Sequence, residues 1–149
     1  MESKYADKMI WWEYGFDSFQ IGIQIVKPEK MDVWPQEGEH QFLVDTGYTG
    51  ETAEILIPCE LFDKLKLEEL PKSQRPKGRT VDDREVDLRI SVNKIYIPKM
   101  QKDFLVFITT FPENETEYLI GAGFLKKFRL LLDGPKNKAC LLNQDELLP

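Results

Sequence analysis

The chain has 149 residues, 26 of them acidic and 20 basic, for a formal net charge of −6. That length fits one domain, 1–149, and 42% apolar with 31% charged residues is a globular balance. The longest apolar runs, Phe104–Ile108 and the glycine-interrupted Tyr118–Leu125, fall far short of the roughly 20 residues that span a membrane. An acidic chain whose basic residues are dispersed, with only a loose group at Lys72–Arg79, is a poor partner for nucleic acid.

In chain order, Met1–Lys8 has no apolar stretch of the secretory kind, so a cytoplasmic protein is expected. Trp11-Trp12 belongs to a short N-terminal extension expected to pack on a sheet. Phe19–Val26 alternates apolar residues with Gln and Gly, which predicts a strand closed by Pro28. Lys27–Gly38 carries two prolines and reads as a loop. Gln41–Val44 and Glu54–Ile57 are short apolar strands, and Pro58 opens a helix with Leu61, Phe62 and Leu65 on one stripe. Leu70–Thr80, with two prolines and four basic residues, reads as a surface loop. Val86–Ile90, Ser91–Ile97 and Phe104–Thr110 are further strands. A second short helix covers Ala122–Phe128, its basic end suiting the helix dipole. Phe128–Leu132 and Ala139–Leu142 then flank Asp133-Gly134, a hairpin signal, and the tail Gln144–Glu146 is expected to be exposed. The fold class is all-β with one or two short helices.

Cys59, Cys140 and His40 are the only cysteines and histidine, too few for a zinc site, and no metal or cofactor is implied. Both thiols read as small core hydrophobes of a reducing compartment, and His40, in a polar stretch, as a solvated surface group.

One constellation stands out: Phe42-Leu43-Val44-Asp45-Thr46-Gly47. An apolar strand delivers a carboxylate into a turn. Partial loss of hydration there favours the protonated form. Gly47 has no side chain, so an amide N–H can face the carboxylate. The Thr46 hydroxyl can tie the turn to a neighbour.

With these residues the chain resembles the retropepsin-like aspartic proteases over roughly residues 15–142. Glu54–Ile57 and the Pro58–Leu67 helix follow the Asp-Thr-Gly turn in the family's order. Thr80–Val86 looks like the flap hairpin, and Leu119-Ile120-Gly121-Ala122-Gly123-Phe124-Leu125 looks like the apolar-apolar-Gly element with its helix. The closing hairpin Phe128–Leu142 is most like prokaryotic members and the protease domain of the DNA-damage-inducible ubiquitin-shuttle proteins. One departure is at the flap tip, where glycine is usual in the family and this chain has Asp82-Asp83.

The resemblance implies a closed acid-protease-like β-barrel with a flap hairpin, assembled as a homodimer. The reaction needs two carboxylates close enough to share a proton, and one Asp-Thr-Gly per chain supplies one, so Asp45 is expected to meet Asp45 of a second chain. Thr46 would reach across between the loops. A polypeptide substrate would lie extended under the flap, against Val81, Asp82 and Asp83. The expected activity is an aspartic endopeptidase, a hydrolase of peptide bonds. The alternative is a silent dimeric module of the same fold that binds peptide or protein, and a third reading is an unrelated β-barrel interaction domain.

Overall fold

The computed structural model describes residues 9–13, 18–26, 38–80 and 82–143. β2 (Gln20–Ile25) sets every second residue into the core, with Ile21, Ile23 and Ile25 fully buried. β2 pairs antiparallel with β3 (His40–Val44) through Gln20↔Leu43 to Ile23↔His40. The long ladder of the molecule joins β7 (Arg89–Ile97) to β8 (Lys102–Thr110), in register from Arg89↔Thr110 to Ile97↔Lys102. Two strands of only two residues, β4 (Ile55–Leu56) and β9 (Leu119–Ile120), complete a closed barrel in the order β2-β3-β9-β4-β8-β7. Its interior holds Ile55, Ile57, Ile95, Ile97, Val106 and Ile108.

α1 (Cys59–Lys64) starts after Pro58 as expected and buries Leu61 and Phe62. Asn114 fixes its approach: the side-chain amide donates to the Ile57 carbonyl at 2.7 Å, while the Asn114 backbone carbonyl accepts the Cys59 N–H at 2.8 Å. α2 (Ala122–Leu125) is shorter than the predicted helix and drives Phe124 into a cluster with Phe104 and Phe128, at 5.4 and 5.2 Å between ring centroids.

The closing hairpin is β10 (Phe128–Asp133) with β11 (Lys138–Asn143), turned at Asp133-Gly134. The N-terminal extension does more than lie on this sheet. It is a strand of it, β1 (Trp11–Glu13), giving the order β1-β11-β10, with Trp12 opposite Ala139 and buried. A third element is the hairpin of β5 (Lys77–Arg79) and β6 (Glu85–Asp87). The segment read as a loop up to Thr80 therefore contains a strand, since Lys77, Gly78 and Arg79 lack any apolar alternation to signal one. β6 and β7 also divide at Leu88, not between Ile90 and Ser91. Among the described residues, no helix is long and apolar enough to cross a membrane.

Two expectations need correction. His40 is not a solvated group: it opens β3, stacks on Tyr118 at 5.0 Å between centroids, and has Nε2 buried with no hydrogen-bond partner among the described residues. Its sequence neighbours are polar, but its cross-strand neighbour is the core residue Ile23. Cys140 is buried as expected, whereas Cys59 is only half-buried, its sulfur accepting an Arg89 N–H at 3.5 Å.

Candidate active site

Asp45 stands where β3 ends, and three segments distant in sequence hold it there. β9 lies between β3 and β4, parallel to the first through Val44↔Ile120 and antiparallel to the second through Ile55↔Ile120. The Asp45 N–H donates to the Ile120 carbonyl at 2.9 Å, and the Val44 N–H to Phe19 at 2.8 Å. The chain then turns: the Tyr48 N–H closes on the Asp45 carbonyl at 3.2 Å. The Gly47 N–H donates to Asp45 Oδ1 at 2.9 Å, which is the amide-to-carboxylate contact expected of this turn. Asp45 is half-buried, while Thr46 and Gly47 are exposed. Asp45 Oδ2 and the Thr46 hydroxyl have no hydrogen-bond partner among the described residues.

Close backbone approach sets the turn's support. A Cβ at Gly121 would lie 2.2 Å from the Ala53 carbonyl oxygen and 2.7 Å from the Tyr48 ring. One at Gly123 would lie 2.9 Å from the same oxygen. Their absence lets the Gly121 N–H reach the Glu54 carbonyl at 2.9 Å, the Ala122 N–H reach Tyr48 at 2.8 Å and the Gly123 N–H reach Ala53 at 2.9 Å. These bonds knit the Asp45–Tyr48 turn to the start of α2.

Two supporting groups escaped the sequence reading. The Tyr48 hydroxyl and Thr109 Oγ1 lie 2.6 Å apart. Thr109 gives its own proton to the Ile55 carbonyl at 3.1 Å, so Tyr48 is the donor to Thr109. Burial first, and then the nearby Glu54 carboxylate, push the Tyr48 phenol above its ordinary range, with the Thr109 bond opposing. Glu54 is itself buried: one oxygen accepts the Phe107 N–H at 3.0 Å and the other pairs with Lys127 Nζ at 3.0 Å. Lys127 also donates to the Leu105 carbonyl at 3.3 Å. Side chains thus bond the β8 backbone where the two-residue β4 does not reach, and Glu54 keeps a partner for its charge. The available signal was an acid at the head of the short apolar strand predicted at Glu54–Ile57.

The hairpin expected as the flap is present, with its tip at Thr80–Arg84; Val81 lies outside the described residues. Asp83 adopts φ 61°, a left-handed conformation in which glycine would be unstrained. Asp82 accepts from the Thr80 hydroxyl and from Arg84 Nε at 3.0 Å, and the tip is closed by Thr80 N–H to the Arg84 carbonyl at 2.9 Å. The Thr80 hydrogen bond first, and then Arg84, hold the Asp82 carboxyl below its ordinary range. Arg84 also pairs with Glu113 at 3.1 Å, tying the tip to the loop between β8 and β9. Thus Asp45, Thr46 and Gly47 share one turn and Asp82 and Asp83 another, with no hydrogen bond or ion pair between the two turns among the described residues. Nor do three His, Cys, Asp or Glu side chains converge there as metal ligands would.

No protein-family model matches the sequence. An uncharacterized protein of Archaeoglobus fulgidus is 32% identical over 114 residues, spanning 76% of this chain and 84% of that protein. Among solved structures, a retropepsin-like aspartic protease from Rickettsia conorii superposes with a TM-score of 0.56 at 19% identity, covering 89% of each chain. The retroviral protease-like domain of Ddi1 from Leishmania major gives a TM-score of 0.44 at 12% identity, over 87% of this chain and 98% of that one. The likeness to the Rickettsia protein is a likeness of fold, and it is the fold that the sequence resemblance implies.

Proposed function

Since the chain belongs to one family with the Archaeoglobus fulgidus protein and has the retropepsin-like fold, we propose that it is a homodimeric aspartic endopeptidase acting on extended polypeptides in the cytoplasm. The observation that carries this reading is the half-buried Asp45 carboxylate at the end of β3, with one oxygen on the Gly47 N–H and the other without a partner among the described residues. One such turn per chain calls for a second copy.

In the dimer, the two Asp45 carboxyls share one proton, because neighbouring like charges cannot both ionise readily. The ionised member takes a proton from water as the water oxygen bonds to the scissile carbonyl carbon. The protonated member gives its proton to the carbonyl oxygen, forming a tetrahedral diol. The dyad's proton then passes to the amide nitrogen, one diol hydroxyl gives its proton to the other carboxylate as the C–N bond breaks, and an acid and an amine leave a dyad that again holds one proton. Thr46 would brace the paired turns. The flap tip with Val81, Asp82 and Asp83 would cover a substrate bound as an added strand.

The test compares the parent with Asp45→Asn on an unfolded protein substrate from about pH 3 to 7, the range in which such dyads titrate. Products are read by mass spectrometry. Cleavage by the parent and a loss of about 10²–10⁴-fold in the variant, with its mass and fold unchanged, are expected. Cleavage that persists in Asp45→Asn defeats the reading. Saturable peptide binding without turnover, equal in both proteins, replaces it by a binding module.

A further inference from the structure

Between the Asp45 carboxylate and Tyr48 lies a bridge of two exposed residues, Thr46 and Gly47. The N–H that reaches Asp45 Oδ1 at 2.9 Å belongs to this bridge. Glycine rotates more freely than any other residue, so the direction of that N–H depends on what fixes the bridge at its ends. At one end the Asp45 N–H is tied to Ile120. At the other, Tyr48 is tied on three sides. Its N–H closes on Asp45 at 3.2 Å, its carbonyl accepts the Ala122 N–H at 2.8 Å, and its phenol crosses to Thr109 of β8, 61 residues along the chain, at 2.6 Å. Thr109 is fully buried and is itself held by the Ile55 carbonyl of β4 at 3.1 Å. The ring fills the space beside Gly121, where a Cβ would lie 2.7 Å from it. Burial pushes the phenol above its ordinary range, so it keeps its proton wherever a carboxyl titrates. Its part is to hold, not to exchange protons.

We propose that Tyr48 is a positioning residue for the reaction: its bond to Thr109 holds the far end of the bridge and so keeps the Gly47 N–H on Asp45 Oδ1. The inference rests on the reading of Asp45 as half of a catalytic dyad. An amide that donates to a carboxylate favours its ionised form, so this bond helps one member of the dyad stay ionised to take the proton of water. It also orients the group, leaving Oδ2 to face the partner carboxyl and the water. Without the tether the bridge swings, the N–H spends less time on Oδ1, and the carboxyl takes its proton at higher pH. No other charge duplicates the effect among the described residues. β9 (Leu-Ile) and α2 (Ala-Gly-Phe-Leu) bring no ionisable side chain to the turn. Glu54 faces the phenol and is paired with Lys127 at 3.0 Å, Glu51 is exposed on the loop beyond, and neither bonds to Asp45.

The experiment titrates Asp45 in the full chain by NMR, on its side-chain carbon and on the Gly47 amide, from about pH 2 to 7, and follows cleavage of an unfolded protein in parallel. In Tyr48→Phe the lower titration step is expected to rise by about half a pH unit, and the Gly47 amide to respond less to it. kcat is expected to fall about fivefold with KM within about twofold. Thr109→Val is expected to match Tyr48→Phe, and Thr109→Ser, which keeps a hydroxyl for the phenol, to match the parent. Ile97→Val, a core change of comparable cost to stability at the opposite end of the β7–β8 ladder from Thr109, is expected to leave the titration and kcat unmoved. A titration in Tyr48→Phe that coincides with the parent's overturns the inference. So does an equal rise in Ile97→Val, or a Thr109→Ser as altered as Thr109→Val. A titration that responds as expected in a parent that cleaves nothing keeps the tether on Asp45 and removes the protease reading. A parent that cleaves, with kcat and titration indifferent to Tyr48→Phe, does the reverse.

Discussion

The Asp45 turn and the flap tip are made of the same materials, a Thr and an Asp at a tight reversal, yet they are held in opposite ways. Around Asp45 the bonds run from backbone to backbone across β3, β9 and the start of α2, and glycine at 121 and 123 allows the close approach. Around Asp82 the backbone bonds stay within the hairpin itself, and the remaining ones run between exposed side chains: Thr80, Arg84, and Glu113 of another loop. Backbone bonds shared with a barrel break only when the barrel opens, whereas exposed ion pairs are weak and screened by salt. The contrast separates a turn fixed by the barrel's own backbone from one whose order rests on exposed charges.

Gly121→Ala tests the first half most severely. The added methyl meets backbone, which cannot swing aside, so a loss of about 3 kcal/mol is expected in urea unfolding. The same change at Gly134, where a Cβ meets nothing within 4 Å, should move stability by no more than about 0.5 kcal/mol. Tyr48→Phe removes one hydrogen bond while Thr109 keeps its bond to Ile55, and about 1 kcal/mol is expected from the same measurement. The smallest global effect belongs to Arg84→Gln, which leaves the unfolding midpoint where it was but speeds amide exchange at residues 79–85. Acid should do the same to the parent. Because the folded carboxyl of Asp82 titrates below its ordinary 3.8, the order it lends the tip is complete above that value and is lost as pH falls through the lower one. Flap exchange followed from pH 6 down to pH 2, against Asp82→Asn, checks the sign.

Most of this arrangement was legible in the residues because it rests on pattern. Alternating isoleucines marked β2, Pro58 marked the start of α1, and Asp-Thr-Gly with Leu-Ile-Gly marked the two segments that meet at the site. What was not legible depends on long-range neighbours. Trp11–Glu13 is a strand because β11 offers it a ladder, and His40 is packed because Tyr118 arrives from far along the chain. Lys77–Arg79 pairs with β6 despite a composition that reads as loop. Glu54 and Tyr48 matter through Lys127 and Thr109, partners that no local spacing announces.

The placement of β9 between β3 and β4 also sets an order of events during synthesis. Leu43 waits for Leu119 and Ile55 for Ile120, so the turn that carries Asp45 has no lasting frame until the chain beyond residue 120 has left the ribosome. A nascent or truncated chain lacking that stretch holds the aspartate without the backbone frame around it, and the candidate site is complete only with the last strands.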